Sequence, residues 1–287
     1  MPEIPKKKIV QLAQTGMLLQ AASLAALVWL GHATPERLVL WSLFAGMMQA
    51  LDLPTRLSYI KELTGPEDLA NAVALNSMQF NLARALGPAL ANQNLCVYSI
   101  DYGAAEPGDW FKGVGPVDES AQRIADFVKF VKTTTGGDKV TLVGHSQGGL
   151  IGFYYLKMLQ GAAHVDRFVA LAPSVNGTSI AKTPNRDNVE YCLACADQHP
   201  RSALLRELKT GPIAMPNVQY SVLVTKNDKV VVPVENQFVK EPGVQNIYIQ
   251  DLLPGKRVSH SGMLYDTETV DLIVKLVQGQ SLQTASN

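Results

Sequence analysis

Two unlike hydrophobic patterns divide the chain. From Ile9 to Pro35 there is no Lys, Arg, Asp or Glu, and 12 of the 14 residues of Met17–Leu30 are apolar, Gln20 and Ser23 being the exceptions. After Glu36 and Arg37 a second uncharged run, 38–51, has 11 apolar residues of 14. The first run reaches membrane-spanning length when its Gln and Thr residues are counted, and the second is shorter than a span needs. Together they predict a hydrophobic helical hairpin turned at Gly31–Pro35, where the proline starts or stops a helix. Three readings stay open. One is a membrane hairpin with Lys6, Lys7 and Lys8 on the cytoplasmic side. Another is a signal peptide, with Gly31-His32-Ala33 as its small-residue cleavage site. The third is a pair of buried helices in a globular core. Further on, Gly65-Pro66-Glu67-Asp68 predicts a helix start with acids in its first turn. Residues 71–91 then predict an amphipathic helix rather than a clean span, because Arg84 lies inside it.

After Asn92 the periodicity changes. Leu95–Tyr102 is a β-branched and aromatic run, which predicts a strand with Cys96 buried in it. Ile124, Phe127, Val128 and Val131 fall at helical spacing within Glu119–Thr133, and Gly136-Gly137-Asp138 ends that helix. Lys139–Val143 predicts a buried strand and Leu150–Leu159 a helix. Arg167–Ala172, Tyr220–Thr225 and Asn246–Gln250 predict further strands. Thr267–Gln278 predicts a last helix. Strands alternating with helices predict an α/β fold whose parallel sheet is covered on both faces. The expected organisation is therefore a helical hydrophobic segment, residues 1–92, before an α/β domain, residues 93–287.

Composition fits two pieces better than one. The 287 residues hold 25 basic and 25 acidic side chains, with 47% hydrophobic and only 17% charged residues. There is enough apolar surface for a core, which excludes a disordered chain. The absence of a basic excess argues against nucleic acid as a partner. Residues 1–92 carry 7 basic and 6 acidic residues, and the remainder 18 and 19, so neutrality survives the division. The mean hydropathy of +0.05 blends a greasy leader with an ordinary domain.

The chemistry-bearing pattern lies in the second piece. Gly144-His145-Ser146-Gln147-Gly148 is Gly-x-Ser-x-Gly, directly after a predicted strand and before a predicted helix. Alone, such a pattern arises often by chance. In this context it predicts a tight strand–helix turn, with glycines two positions either side of a serine whose hydroxyl stands free. The backbone N–H of Gln147, at the helix N-terminus, then faces the place where an oxyanion would develop. A serine nucleophile needs a base, and the base an orienting acid, in the chain order Ser, Asp or Glu, His. Of the histidines after Ser146, His164 sits at a helix end and His199 precedes Pro200. His260 lies between the last predicted strand and the last helix, where the base belongs. Asp228, on the loop after the strand Tyr220–Thr225, is the favoured acid. Asp251 is the second choice, and Asp166 lies at the wrong end of its strand. No metal cluster or cofactor motif is apparent, and a triad needs none. Cys192-Leu-Ala-Cys195 lacks a thioredoxin-like setting and has too few neighbouring ligands for zinc. A local disulfide, or two reduced thiols, remain.

Two resemblances follow from these residues. Asp52-Leu-Pro-Thr-Arg56, with Asn76, Asn81, Ala83-Arg84 and Gly87-Pro88, resembles the middle of a major facilitator superfamily exporter over roughly residues 8–91. Such transporters have about twelve spans in two halves, and this piece supplies too few for alternating access, so it implies no transport. Cys96–Gly103, Gly113–Pro116, Val143–Gly149, Ala172-Pro173, Asn176-Gly-Thr178, Asp228 and His260 resemble the bacterial class 2 lipases over roughly residues 93–280. That resemblance implies an α/β-hydrolase fold and hydrolysis of acylglycerol or other acyl esters. It also implies Ser146, Asp228 and His260 as the triad and, taken with the hydrophobic leader, a membrane-associated or secreted location. One departure matters. The family opens with a strand and a His-Gly loop that supplies the second oxyanion donor, and this chain has no His-Gly dipeptide. The first strands are therefore expected to be missing, which exposes a sheet edge. A lipid or acyl ester is the expected partner, with membrane association through residues 9–51. The rival expectation is a non-catalytic membrane or interaction protein with an incomplete hydrolase domain.

Overall fold

The computed structural model describes residues 6–52, 54–55, 58, 86–104, 112–189 and 192–282. The chain divides into two compact units, Met1–Leu75 and Asn76–Asn287.

The first unit is a helical hairpin. Helix α1 spans Lys6–Trp29 and helix α2 residues 35–52. Gly31, at φ 71°, opens the turn, and Arg37 Nη1 closes it by donating to His32 O at 2.7 Å. The polar residues that interrupt the apolar run of α1 have a structural use. Gln20 Nε2 donates to Trp41 O at 3.3 Å, and Trp41 Nε1 donates to Ser23 Oγ at 2.8 Å. Such pairs hold apolar helices together where hydrophobicity cannot discriminate between neighbours. The large apolar side chains point elsewhere. Leu12, Leu18, Leu19 and Trp29 on α1, and Leu40, Leu43 and Met47 on α2, are all more than half exposed. The reading of these runs as buried core helices is therefore not what the structure shows. One described helix, α1, is long and apolar enough to cross a membrane. The predicted helix start at 65–68 and residues 71–85 of the amphipathic helix lie outside the described residues.

The second unit is built on a four-stranded parallel sheet. Helix α3 covers residues 86–91 and α4 Val117–Thr135. Strand β1 (Val140–His145) leads into α5 (Gln147–Met158), then come β2 (Val165–Leu171) and the short helices α6 (Leu193–Asp197) and α7 (Ala203–Leu208). Strand β3 (Gln219–Val224), β4 (Val244–Tyr248), α8 (Ile249–Leu252) and α9 (Thr267–Val277) complete it. The strands lie in sequence order, β1-β2-β3-β4, every pair parallel. Parallel neighbours require a crossover, and each crossover adds cover to a face. On one face Val117, Ile124 and Val128 of α4 and Leu150, Phe153 and Leu156 of α5 pack against Phe168 and Tyr220. On the other, Leu86 and Leu90 of α3 join Ile273 and Leu276 of α9 over Val169 and Leu171.

The α/β class and the parallel sheet agree with the sequence pattern; two local expectations do not. Residues 95–104 carry no strand ladder, and Cys96 is exposed. A β-rich sequence becomes a strand only where it pairs, and among the described residues β1 pairs with β2 and not with 95–104. Consequently β1 lies at the edge of the described sheet. Val140–Val143 are only partly covered rather than buried.

Candidate active site

Ser146 sits between β1 and α5 with φ 56° and ψ −119°. Such a backbone costs a non-glycine residue about 1–3 kcal/mol and persists only where the surroundings over-determine it. Here they do. The Ser146 N–H donates to Leu171 O at 2.8 Å, at the end of β2. Its carbonyl accepts from the Gly149 and Ser174 N–H groups at 3.0 and 3.2 Å. Gly144 is required by close approach: a Cβ there would lie 2.4 Å from Gly148 O, a backbone atom that cannot move aside. Gln147 is the first residue of α5, so its N–H has no acceptor within the helix. Its side chain is buried and donates to Gly113 O at 3.0 Å.

Asp228 and His260 are brought together from two loops. Asp228 follows β3 in a turn closed by its own N–H on Thr225 O. Thr225 Oγ1 donates to Val258 O at 2.7 Å, which ties the Asp228 loop to the His260 loop. His260 Nδ1 donates to Asp228 Oδ2 at 2.5 Å, with both side chains almost completely buried. Oδ2 also accepts from Gln237 Nε2 at 3.1 Å, and Oδ1 accepts from the N–H groups of Val230 and Val231. Burial by itself would raise the carboxyl pKa. The hydrogen bonds from His260, Val230 and Val231 outweigh it and hold Asp228 below the ordinary 3.8. With Nδ1 committed as a donor, Nε2 carries the lone pair. That atom is buried and has no hydrogen-bond partner among the described residues, Ser146 Oγ included.

His145 links the serine to the histidine. Its ring, 5% exposed, donates from Nε2 to His260 O at 2.9 Å, and the two rings lie 4.7 Å apart. The residue preceding the nucleophile candidate thus holds the backbone of the base candidate. Burial, then the charge of a protonated His260, push the His145 pKa down to about 3, against weaker opposing effects of the His260 backbone and Asp228. His145 is therefore neutral in the folded protein. Unfolded, it takes up a proton below about pH 6.5, so its contribution to stability is complete above that pH and declines as pH falls toward 3. Thermal unfolding midpoints measured between pH 7 and pH 4 should fall in the wild type and fall less steeply in His145→Gln. Equal slopes would refute this account.

The alternative candidates are engaged elsewhere. Asp251 pairs with Lys226 at 2.5 Å, Asp166 accepts from Thr141 on β1, and His164 contacts Lys132 at 3.0 Å. His199 accepts the N–H of Arg201. Cys192 and Cys195 are joined as a disulfide at the start of α6. Sequence reasoning missed His145 and Gln237. Nothing distinguishes Gln237 from other loop amides before folding, and His145 shows only as the last residue of a strand.

Comparison with known proteins agrees with this architecture. Residues 79–189 match the family described as alpha/beta hydrolase fold. The second unit has the α/β-hydrolase fold. Phospholipase PlaB from Legionella pneumophila is similar to this chain at 14% identity and a TM-score of 0.51, covering 72% of this chain and 56% of that one. Lipase B from Aspergillus fumigatus is similar at 20% identity and a TM-score of 0.49, with 58% and 43% covered. The chain therefore spans about half the length of these two structures. A pyrethroid hydrolase from Sphingobium faniae is similar at 16% identity and a TM-score of 0.43, with 70% and 93% covered. Before the hydrolase fold, residues 3–99 match a family described as transmembrane secretion effector, in line with the exporter-like fragment. No curated protein matches the sequence.

Proposed function

We propose that the second unit is a serine carboxylic-ester hydrolase of lipase or esterase type, using Ser146, Asp228 and His260. The observation that carries this reading is the buried Asp228–His260 pair, whose free Nε2 stands in a site linked to a strained serine through His145. In the reaction, Ser146 Oγ bonds to the ester carbonyl carbon as its proton passes to His260 Nε2. The carbonyl π pair moves onto oxygen, facing the Gln147 N–H. Collapse expels the alcohol, which takes the proton from His260, and leaves an acyl-serine. Water, deprotonated by His260, releases the acid in a second round. Asp228 holds the imidazole tautomer throughout. Apo structures often leave the serine–histidine contact open until substrate arrives, so the unpartnered Nε2 suits this role.

The substrate class is an acylglycerol or another acyl ester. The exposed apolar faces of α1 and α2 suit a lipid surface, to which they would bring the hydrolase. Purified full-length protein should release 4-nitrophenol from short- or long-chain acyl esters, and the release should depend on Ser146. Turnover no greater than in the serine variant would replace this reading by that of a non-catalytic, membrane-associated or interaction protein.

A further inference from the structure

We propose that the Tyr102 hydroxyl is a second oxyanion donor, acting beside the Gln147 N–H; this rests on the ester-hydrolase reading above. The hydroxyl lies at the start of the nucleophile helix: a Cβ built on Gly148, the residue after Gln147, would be 3.2 Å from Tyr102 Oη. The aromatic ring packs against the core that contains α5, while its hydroxyl makes no hydrogen bond to any described residue. It is therefore a donor uncommitted among the described residues, held beside Gly148 at the start of α5.

Its position is fixed by a short hydrogen-bonded bridge to the first donor. Gln147 Nε2 donates to Gly113 O at 3.0 Å, and the Gly113 N–H donates to Tyr102 O at 3.0 Å. The N–H groups of Val114 and Gly115 both donate to Gly103 O, at 2.9 and 3.0 Å. The two segments are pressed together so closely that a Cβ on Gly103, at φ 69°, would lie 2.9 Å from Gly113 Cα. Residues 102 and 147 are thus parts of one rigid corner, which is the condition for a preorganised pair of donors. Burial raises the Tyr102 pKa above its usual value, so the group remains an O–H donor at any working pH. A phenol can supply the stabilisation that the absent His-Gly loop supplies in the lipase family.

The test compares wild type with Tyr102→Phe in the full chain, using 4-nitrophenyl esters. Loss of one oxyanion donor is expected to lower kcat by about 10²–10³-fold. KM should change little, because the ground-state carbonyl needs the donor less than the tetrahedral intermediate does. Affinity for a trifluoromethyl ketone, which forms an oxyanion on Ser146, should fall by a similar factor. A kcat within threefold of wild type would overturn the proposal. Should Tyr102→Phe not fold, 3,5-difluorotyrosine at position 102 retains the hydroxyl and lowers its pKa. A new loss of kcat at alkaline pH, absent in wild type, is then expected, and an unaltered pH profile would overturn it. Wild-type protein without Ser146-dependent turnover removes the ester-hydrolase reading and this proposal together. Turnover that ignores the Tyr102 hydroxyl removes this proposal alone.

Discussion

Ser146→Ala should lower kcat for ester hydrolysis by about 10⁶-fold, the loss expected when a triad nucleophile is removed. The alanine has no atom to bond to the ester carbonyl, so turnover falls back on water. His260 and the Gln147 N–H remain, and they sustain the residual rate. The fold should tolerate the change, because Ser146 Oγ makes no hydrogen bond to described residues and the backbone groups of position 146 keep their partners Leu171, Gly149, Leu150 and Ser174. Stopped and continuous assays of 4-nitrophenol release, with a thermal unfolding midpoint for each protein, check both halves. Retention of more than about one part in a hundred of kcat would point to a different nucleophile.

Asp228→Asn should cost on the order of 10⁴-fold in kcat. The carboxylate accepts on every side: from His260 and Gln237 at Oδ2, and from Val230 and Val231 at Oδ1. An asparagine has one accepting end. The two valine N–H groups claim that end, which turns the amide N–H₂ toward His260. The imidazole must then accept at Nδ1 and carry its proton on Nε2, the tautomer that cannot take a proton from serine. Stability should respond as well. The Asp228 pKa is depressed in the folded state, so its contribution is present above about pH 4 and disappears as pH falls through the folded value. The gap in unfolding midpoint between wild type and Asp228→Asn should therefore narrow in acid. A kcat within tenfold of wild type would dissociate Asp228 from the chemistry.

Much of the sheet was readable before the structure. Val140–His145, Val165–Leu171, Gln219–Val224 and Val244–Tyr248 lie within two or three residues of the strands expected from the sequence, because short β-branched and aromatic runs bounded by turn residues mark a strand locally. The amphipathic helices were readable for the same kind of reason, and the glycine spacing around Ser146 reports a steric requirement local to the turn. What failed depended on partners. Leu95–Tyr102 has strand-like residues but pairs with no described strand, and sequence periodicity carries no information about what lies alongside. Gln20 and Ser23 read as blemishes in an apolar helix, whereas they are the atoms that hold α2. His145 acquires its place through His260, 115 residues away, and Gln237 and Tyr102 through loop contacts to Asp228 and Gly113 that periodicity does not show.

The backbone at Ser146 also bears on what shaped this sequence. Folding alone would place glycine at position 146, since glycine enters the left-handed half of conformational space without penalty. The chain instead keeps a side chain there and forgoes about 1–3 kcal/mol, a noticeable part of the margin by which a domain exceeds its unfolded state. On the proposed ester-hydrolase function, the corner is a place where durability and reactivity pull in opposite directions, the serine being the residue that the proposed chemistry requires.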